Sequence, residues 1–100
     1  MDRYKIIISS KAHQDIINIV SFVLNVSEEA ALELTDDIYS SIETLSRLPE
    51  RNPLFEMPNI AIKTRKLIIN KRYIVIYVID EDKVIIYRVL DSRRSFYNLL

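Results

Sequence analysis

Apolar residues recur at two different spacings along this chain, and the change of spacing divides it into two parts. Between Lys11 and Pro49 they recur every three or four residues, which predicts amphipathic helices. From residue 62 onward they form short runs of Ile, Val, Leu and Tyr broken by polar residues, which is typical of strands joined as hairpins. A shorter run of this second kind, residues 4–9, precedes the helices and predicts a first strand.

Two helices are predicted in the first part. Ser9 and Ser10 provide an N-cap for a helix that begins near Lys11, and Ser27 provides one for a second helix, which we expect Pro49 to end. The apolar stripe of the first helix contains Ala12, Ile16, Ile19, Val20 and Val23, and that of the second contains Ala31, Leu34, Ile38, Ile42, Leu45 and Leu48. Because the break at residues 25–27 is so short, the two helices should pack antiparallel as a helical hairpin.

The second part predicts three further strands, at residues 67–69, 73–79 and 84–90. The chain contains no glycine, so we expect Asn70 to adopt the positive φ that a tight hairpin turn requires. A short helix is predicted over residues 93–100, with Asp91 or Ser92 as its cap. The predicted fold is a single α+β domain spanning residues 1–100, with the order β-α-α-β-β-β and a short C-terminal helix. Its helical hairpin should lie on one face of a mostly antiparallel sheet.

Composition indicates the cellular compartment in which we expect this domain and the ligands that it is expected to lack. Hydrophobic residues make up 49% and charged residues 28% of the chain, so it can form a core. It contains no cysteine and no apolar stretch long enough for a signal peptide core or a membrane helix, so we expect a soluble, cytoplasmic protein without membrane contact. The acidic run Asp80-Glu81-Asp82 is interpreted as a solvated turn rather than a metal site, and neither a metal nor a cofactor is expected.

A formal net charge of zero conceals a difference between the two parts. Residues 1–61 contain five Lys and Arg against ten Asp and Glu, whereas residues 62–100 contain nine against four. Such asymmetry favours an anionic partner for the second part, either nucleic acid or an acidic protein segment. The alternative is that acidic helices and lysines at sheet edges account for the split without any partner.

Four groups of residues at fixed spacing point to a known family. They are Ser10-x-Ala12-x-x-Asp15-Ile16-x-x-Ile19-x-x-Phe22, then Ile42-x-x-Leu45-x-x-x-Pro49, then Arg65-x-Leu67 with Tyr73-x-Val75-x-Tyr77, and last Asp82-x-Val84-x-Ile86-x-Arg88-Val89-Leu90-x-x-Arg93-Arg94. With these groups in this order, nearly the whole chain resembles the RelE/ParE superfamily of toxins from bacterial type II toxin–antitoxin modules.

The resemblance implies an antitoxin partner in a hetero-oligomer. The pattern agrees with this, because the helical hairpin can cover only one of the two faces of strands that are apolar on both. An antitoxin segment across the other face would complete its burial, with acidic residues that meet Arg65, Arg72, Arg88 or Arg93. The alternative is that the C-terminal tail and the loop at residues 49–60 cover this face.

The resemblance leaves the target open, since RelE-like members cleave messenger RNA on the ribosome and ParE-like members inhibit DNA gyrase. RNA-cleaving members commonly use lysines on the first hairpin strand, an arginine on the next, and an arginine with a tyrosine or histidine near the C-terminus. Here Ile74 stands where the second-strand arginine is often found, and Asp91 where many ParE-like sequences have histidine. His13, the one histidine, is interpreted as an exposed helix residue. This incomplete set favours gyrase inhibition over an endoribonuclease activity.

Candidate site residues follow from this resemblance and from the cations of the sheet. If the protein is a nuclease, the catalytic candidates are Arg65, Arg93, Arg94 and Tyr97. The candidates for target or antitoxin binding are Lys63, Arg65, Lys66, Arg72, Tyr73, Arg88, Arg93 and Arg94. A third possibility is a non-toxic member that acts as an antitoxin-binding scaffold or co-repressor.

Overall fold

The predicted order of strand, two helices and three strands is present in the computed structural model, which describes residues 3–56 and 62–93. The elements are β1 (Lys5–Ile8), α1 (Ser10–Leu24), α2 (Glu28–Glu43), β2 (Arg65–Ile69), β3 (Tyr73–Asp80) and β4 (Lys83–Asp91). Two short 3₁₀ turns, Thr44–Ser46 and Pro49–Arg51, lie between α2 and β2.

Both helices begin where their serine caps predict. The Ser9 hydroxyl accepts a hydrogen bond from the Ala12 amide at 3.0 Å, and the Ser27 hydroxyl accepts one from the Ala30 amide at 3.1 Å. Each bond satisfies one of the amides that the first turn of a helix leaves without a partner.

The end of α2 differs from the prediction. The helix stops at Glu43, and Leu48 adopts a left-handed conformation with φ of 48° and is 72% exposed, so the prediction that α2 and its stripe continue to Pro49 is wrong. The chain passes into the 3₁₀ turn Thr44–Ser46 and is extended at Arg47, so the helical stripe ends at Leu45. Arg51 Nη1 then donates to the carbonyls of Thr44, Arg47 and Leu48 at 3.2, 2.7 and 3.3 Å.

The four strands form one sheet in the order β1-β4-β3-β2. β1 is parallel to β4 and the other two pairings are antiparallel, so the sheet is mostly antiparallel as predicted. The register shifts between Ile76 and Tyr77, where Tyr87 of β4 is left without an opposite residue. This is the geometry of a β-bulge, which bends a strand and redirects the side chains that follow it.

The turn between β2 and β3 adopts positive φ angles without glycine. Asn70 has a positive φ of 54°, as predicted, and Lys71 has one of 57°. Two consecutive residues of this kind form the tight turn whose twist matches that of the flanking strands. The Asn70 side-chain amide donates to the Asp37 carboxylate at 3.0 Å, which attaches the turn to α2.

The main core lies between the helical hairpin and one face of the sheet. Its buried members include Ile16, Ile38, Val75, Tyr77 and Ile86. On the other face Ile74, Ile76 and Leu90 form a separate buried cluster against which Phe55 packs. The loop before β2 therefore contributes to the cover of the second face.

Two further expectations concern a C-terminal helix and a membrane helix. The predicted helix over residues 93–100 lies outside the described residues except for Arg93. Within the described ranges, no helix has both the length and the apolar character needed to cross a membrane.

Candidate functional site

Arg65 holds the loop that follows α2 in place. Its Nη1 donates to the carbonyl oxygens of Glu50 at 3.1 Å and Asn52 at 2.7 Å. The buried Tyr77 hydroxyl donates to the Pro49 carbonyl at 2.6 Å and accepts from the Asn52 side-chain amide at 3.1 Å. Burial raises the pKa of the Tyr77 phenol, because its ionised form would lose hydration. The two hydrogen bonds that Arg65 donates therefore have a structural role at the edge of the sheet.

Arg88 forms a two-pronged ion pair with Asp15 of α1. Nε and Nη2 of Arg88 donate to the two carboxylate oxygens at 2.7 and 2.9 Å, and the arginine is only 9% exposed. Asp15 also accepts a hydrogen bond from the Val89 amide at 3.0 Å. Val89 lies just beyond Ile86, which is the last residue of β4 that pairs with β1. The hydrogen bond to Asp15 raises the pKa of Arg88. This contact joins α1 to β4 and uses the charge of Arg88 inside the molecule.

Arg72 forms a second pair of this kind, with Asp91 at the end of β4. Its Nε and Nη2 donate to the two Asp91 oxygens, each at 3.0 Å, and its guanidinium lies 5.2 Å from the centre of the Tyr73 ring. The hydrogen bond to Asp91 raises the pKa of Arg72. Tyr73 itself is 4% exposed and belongs to the main core. The first hairpin is thereby joined to the end of β4.

Asp91 also orders the chain that follows β4. Its Oδ1 accepts from the Arg93 amide at 3.0 Å, and the Ser92 amide donates to the Arg72 carbonyl at 2.8 Å. Arg93 is exposed and borders an open cleft of about 300 Å³ together with Arg72, Asn70 and the acidic Glu33 and Asp37 of α2. The direction of the chain at Arg93 is thus set by the same contacts that hold Arg72.

Two lysines of the second part are exposed, unlike Arg65, Arg72 and Arg88. Lys63 and Lys71 are exposed, and Lys66 is half-buried with its Nζ 5.4 Å from the centre of the Phe55 ring. Arg94 and Tyr97 lie outside the described residues. The predicted site residues are therefore divided between internal contacts, made by Arg65, Arg72, Tyr73 and Arg88, and an outer set of Lys63, Lys66 and Arg93. Lys71, which was not among the candidates, is exposed as well.

Two partners in these contacts were not among the predicted site residues. Asp15 lies on the same side of α1 as Ala12 and Ile19, and an acidic residue beside a buried stripe is a signal that a cation must meet it. Asp91 gives no such signal, because only the strand register brings it beside Arg72. His13 is exposed on α1, and within the described ranges no three His, Asp or Glu side chains are grouped closely enough to hold a metal ion.

Sequence comparison decides the family. The family model described as the ParE toxin of the type II toxin–antitoxin system, parDE, matches residues 6–96. The chain belongs to the ParE toxin family. It is therefore a toxin of a type II toxin–antitoxin system, which confirms the resemblance to the RelE/ParE superfamily and its ParE-like branch.

Solved structures show that this ParE-family chain shares its fold with chains of other toxin–antitoxin systems. A chromosomal ParDE system from P. aeruginosa is similar with a TM-score of 0.73 and 18% identity, over 89% of this chain and 96% of that one. The RelBE2 toxin–antitoxin complex from Mycobacterium tuberculosis is similar with a TM-score of 0.56 and 21% identity, over 91% of this chain and 93% of that one. No curated protein sequence matches the chain. At these identities the structures support the fold alone.

Proposed function

We propose that this ParE-family toxin arrests bacterial growth by inhibiting DNA gyrase and that a cognate antitoxin neutralises it in a cytoplasmic hetero-oligomer. The observation that carries the proposal is the family match over residues 6–96. The use of Arg65, Arg72 and Arg88 in internal contacts supports the choice of gyrase over messenger RNA, for the following chemical reason.

RNA cleavage by attack of a 2′-hydroxyl needs a base, an acid and a cation near the phosphate. Of the residues that a nuclease would use here, Arg65 is bound to the carbonyls of Glu50 and Asn52. Ile74, where RNA-cleaving members often carry an arginine, is 9% exposed and packs with Ile76 and Leu90. A surface of this kind is suited to binding a protein rather than to proton transfer.

The proposed target-binding surface is the end of the sheet at which Lys71 and Arg93 lie. Lys71 is exposed in the turn between β2 and β3, and Arg93 is exposed just after β4. The pairing of Arg72 with Asp91 joins these two positions, so both cations are presented from a rigid base. Such preorganised charges bind an anionic surface with little loss of side-chain and backbone freedom.

The proposed antitoxin site is the sheet face opposite the helices. Ile68 is 48% exposed there and pairs with Ile74 of the second cluster, while Lys66 lies beside Phe55. An antitoxin segment with apolar residues and flanking acids would cover Ile68 and meet Lys66. Burial of apolar area and charge complementarity would then act together.

Induced expression without an antitoxin tests the toxin activity. We expect growth of a bacterial host to stop, and normal growth with soluble protein present would contradict the proposal and favour a non-toxic scaffold. Two assays of the purified protein then separate the targets: gyrase supercoiling of plasmid DNA, and cleavage of messenger RNA on programmed ribosomes. We expect loss of supercoiling with intact messenger RNA. Ribosome-dependent cuts with normal supercoiling would instead support the endoribonuclease.

A double variant, Lys71→Ala with Arg93→Ala, tests the binding surface. We expect it to raise the concentration needed for half-inhibition of gyrase by about tenfold or more, which corresponds to about 1.4 kcal/mol of lost binding. Lys5→Ala is the matched control, because it removes an exposed cation from β1 at the opposite edge of the sheet. Equal potency of the double variant and the wild type would exclude this end of the sheet as the target site.

A further inference from the structure

The outward side of the helical hairpin carries a row of exposed apolar residues that the core does not use. Ile17 and Leu24 of α1 are 55% and 52% exposed, and Leu32 and Tyr39 of α2 are 65% and 39% exposed. Ile17, Val20, Ser21, Thr35 and Tyr39 line an open cleft of about 230 Å³ between the two helices. We name the outer seam the surface formed by Ile17, Leu24, Leu32 and Tyr39 together with Val20, which is half-buried and also packs against the main core.

The spacing of these residues is that of one helix face. Ile17, Val20 and Leu24 follow at intervals of three and four along α1, and Leu32 and Tyr39 are seven apart on α2. The row along α1 extends for about 10 Å at the rise of an α-helix. Exposed apolar residues beside an open cleft between two helices have the shape that receives the apolar face of a third helix.

The charge around the outer seam is mostly acidic, with the cation of Arg3 lying 3.8 Å from Glu43 at one end. Between Lys11 and Arg47 the chain contains no Lys or Arg, and it contains seven Asp and Glu. Glu28, Asp36 and Glu43 recur at offsets of three or four residues from Leu32 and Tyr39, so they share the seam's side of α2. Of the other acids, Asp15 is used by Arg88. Between Lys11 and Arg47 the one basic side chain is His13, which lies four residues before Ile17.

We propose that the outer seam binds an amphipathic helix of a partner protein whose apolar stripe is flanked by Lys and Arg. The apolar residues of the partner would fill the cleft between Val20 and Thr35, and its cations would meet Glu28 and Asp36. Complementary charge of this kind selects the partner and orients it.

A second copy of this chain fits the outer seam poorly. A two-fold symmetric contact places the same surface on both sides, so it would bring Glu28 and Asp36 of one copy against the acids of the other. Like charges placed opposite one another oppose such an interface. The proposed target-binding residues Lys71 and Arg93 lie on the sheet, so this second interface does not depend on the identity of the toxin's target.

Peptide binding to the purified chain tests the proposal. The probe is a fluorescein-labelled helical peptide of about 18 residues with leucines at intervals of three and four and Lys and Arg on both flanks. A matched peptide has the same leucines with Glu on the flanks. Fluorescence anisotropy should show that the basic peptide binds at least about tenfold more tightly, and its affinity should fall as salt is raised. Backbone amide chemical shifts should change along α1 and α2.

Substitutions of exposed residues show where the peptide binds without destabilising the fold. Ile17→Ser with Leu32→Ser should weaken binding of the basic peptide by about tenfold or more, since each removes apolar contact area. Asp36→Lys should weaken it several-fold and reduce its salt dependence. Leu54→Ser, which removes a comparably exposed leucine from the loop before β2, is the matched control and should bind as the wild type does.

Three results would overturn the proposal. They are binding of neither peptide, equal binding of the acidic and basic peptides, and shift changes confined to the sheet. Sedimentation that shows a wild-type dimer which Ile17→Ser converts to a monomer would assign the outer seam to a second copy instead. Because Lys71→Ala with Arg93→Ala should leave peptide binding unchanged, failure here is distinguishable from failure of the proposed gyrase inhibition.

Discussion

The cations of the sheet fall into two groups that look alike in the sequence and differ in their use. Arg65, Arg72 and Arg88, which we call the paired arginines, donate to carbonyls or carboxylates within the chain. Lys71 and Arg93 lie a few positions away and are exposed. The difference teaches that a cation among apolar strand residues is not by itself a sign of a binding surface.

The physical distinction between the two groups is solvation. A guanidinium that loses water must recover the lost interaction from carboxylates or carbonyls at good geometry, and its removal then leaves a partner without compensation. An exposed lysine keeps its hydration and contributes little to stability. Substitutions in the first group should therefore change the free energy of unfolding, whereas those in the second should change activity.

The largest effect is expected at Arg88. Arg88→Met keeps the packing of the side-chain stem but leaves the Asp15 carboxylate with only the Val89 amide as a described partner. We expect the free energy of unfolding to fall by about 3 kcal/mol or more, as measured by urea denaturation. Lys71→Met is the control and should change it by less than about 0.5 kcal/mol. A loss of similar size in both variants would remove the distinction between the groups.

A smaller loss is expected from Tyr77→Phe. The variant keeps the buried ring but removes the hydroxyl that donates to Pro49 and accepts from Asn52. We expect a loss of about 2 kcal/mol in urea denaturation, because two partly buried polar groups lose a partner. Tyr87→Phe, at a tyrosine that is 40% exposed, is the matched control and should be near neutral. Full stability of Tyr77→Phe would mean that water replaces the hydroxyl.

The Arg72–Asp91 pair should contribute less, because the Arg72 side chain is 27% exposed. A double-mutant cycle with Arg72→Met and Asp91→Asn measures the pair separately from its surroundings. We expect a coupling free energy of about 1 kcal/mol in favour of the pair. Coupling near zero would place Arg72 with the exposed cations rather than with the paired arginines.

The smallest effect is on the pH dependence of stability. Burial raises the pKa of Tyr77 in the folded chain, so the folded state holds the phenolic proton more tightly than the unfolded state does. The resulting stabilisation is fully present below a pH of about 10 and is lost as the pH rises through the folded pKa. Denaturation of the wild type and Tyr77→Phe between about pH 8 and pH 11 should show a steeper decline for the wild type. Parallel curves would contradict this assignment.

The prediction of the fold succeeded where local chemistry decides the structure. The spacing of apolar residues located both helices, and the serine caps located their first residues. The lack of glycine made Asn70 the residue expected at positive φ. The end of α2 was predicted too far along the chain because the apolar spacing continues through Leu48, whereas the α-helix ends at Glu43 and the chain is extended at Arg47.

The candidate site was harder to predict from the sequence, since its main distinction depends on distant partners. Arg88 and Asp15 are 73 positions apart, and Arg72 and Asp91 are 19 apart. The spacing along either strand carries no information about such pairs. The cationic character of the second part was visible in the sequence, but its division into the paired arginines and an exposed set was not.

The sequence by itself determined the order of the elements, their caps, the turn at Asn70 and the membership of the ParE toxin family, because each depends on neighbouring residues or on a motif read along the chain. Only the tertiary structure decided that β1 lies parallel to β4, that Asp15 meets Arg88, and that Lys71 and Arg93 remain exposed. The physical reason is that charge becomes structural or functional according to what the folded chain places within hydrogen-bonding distance of it.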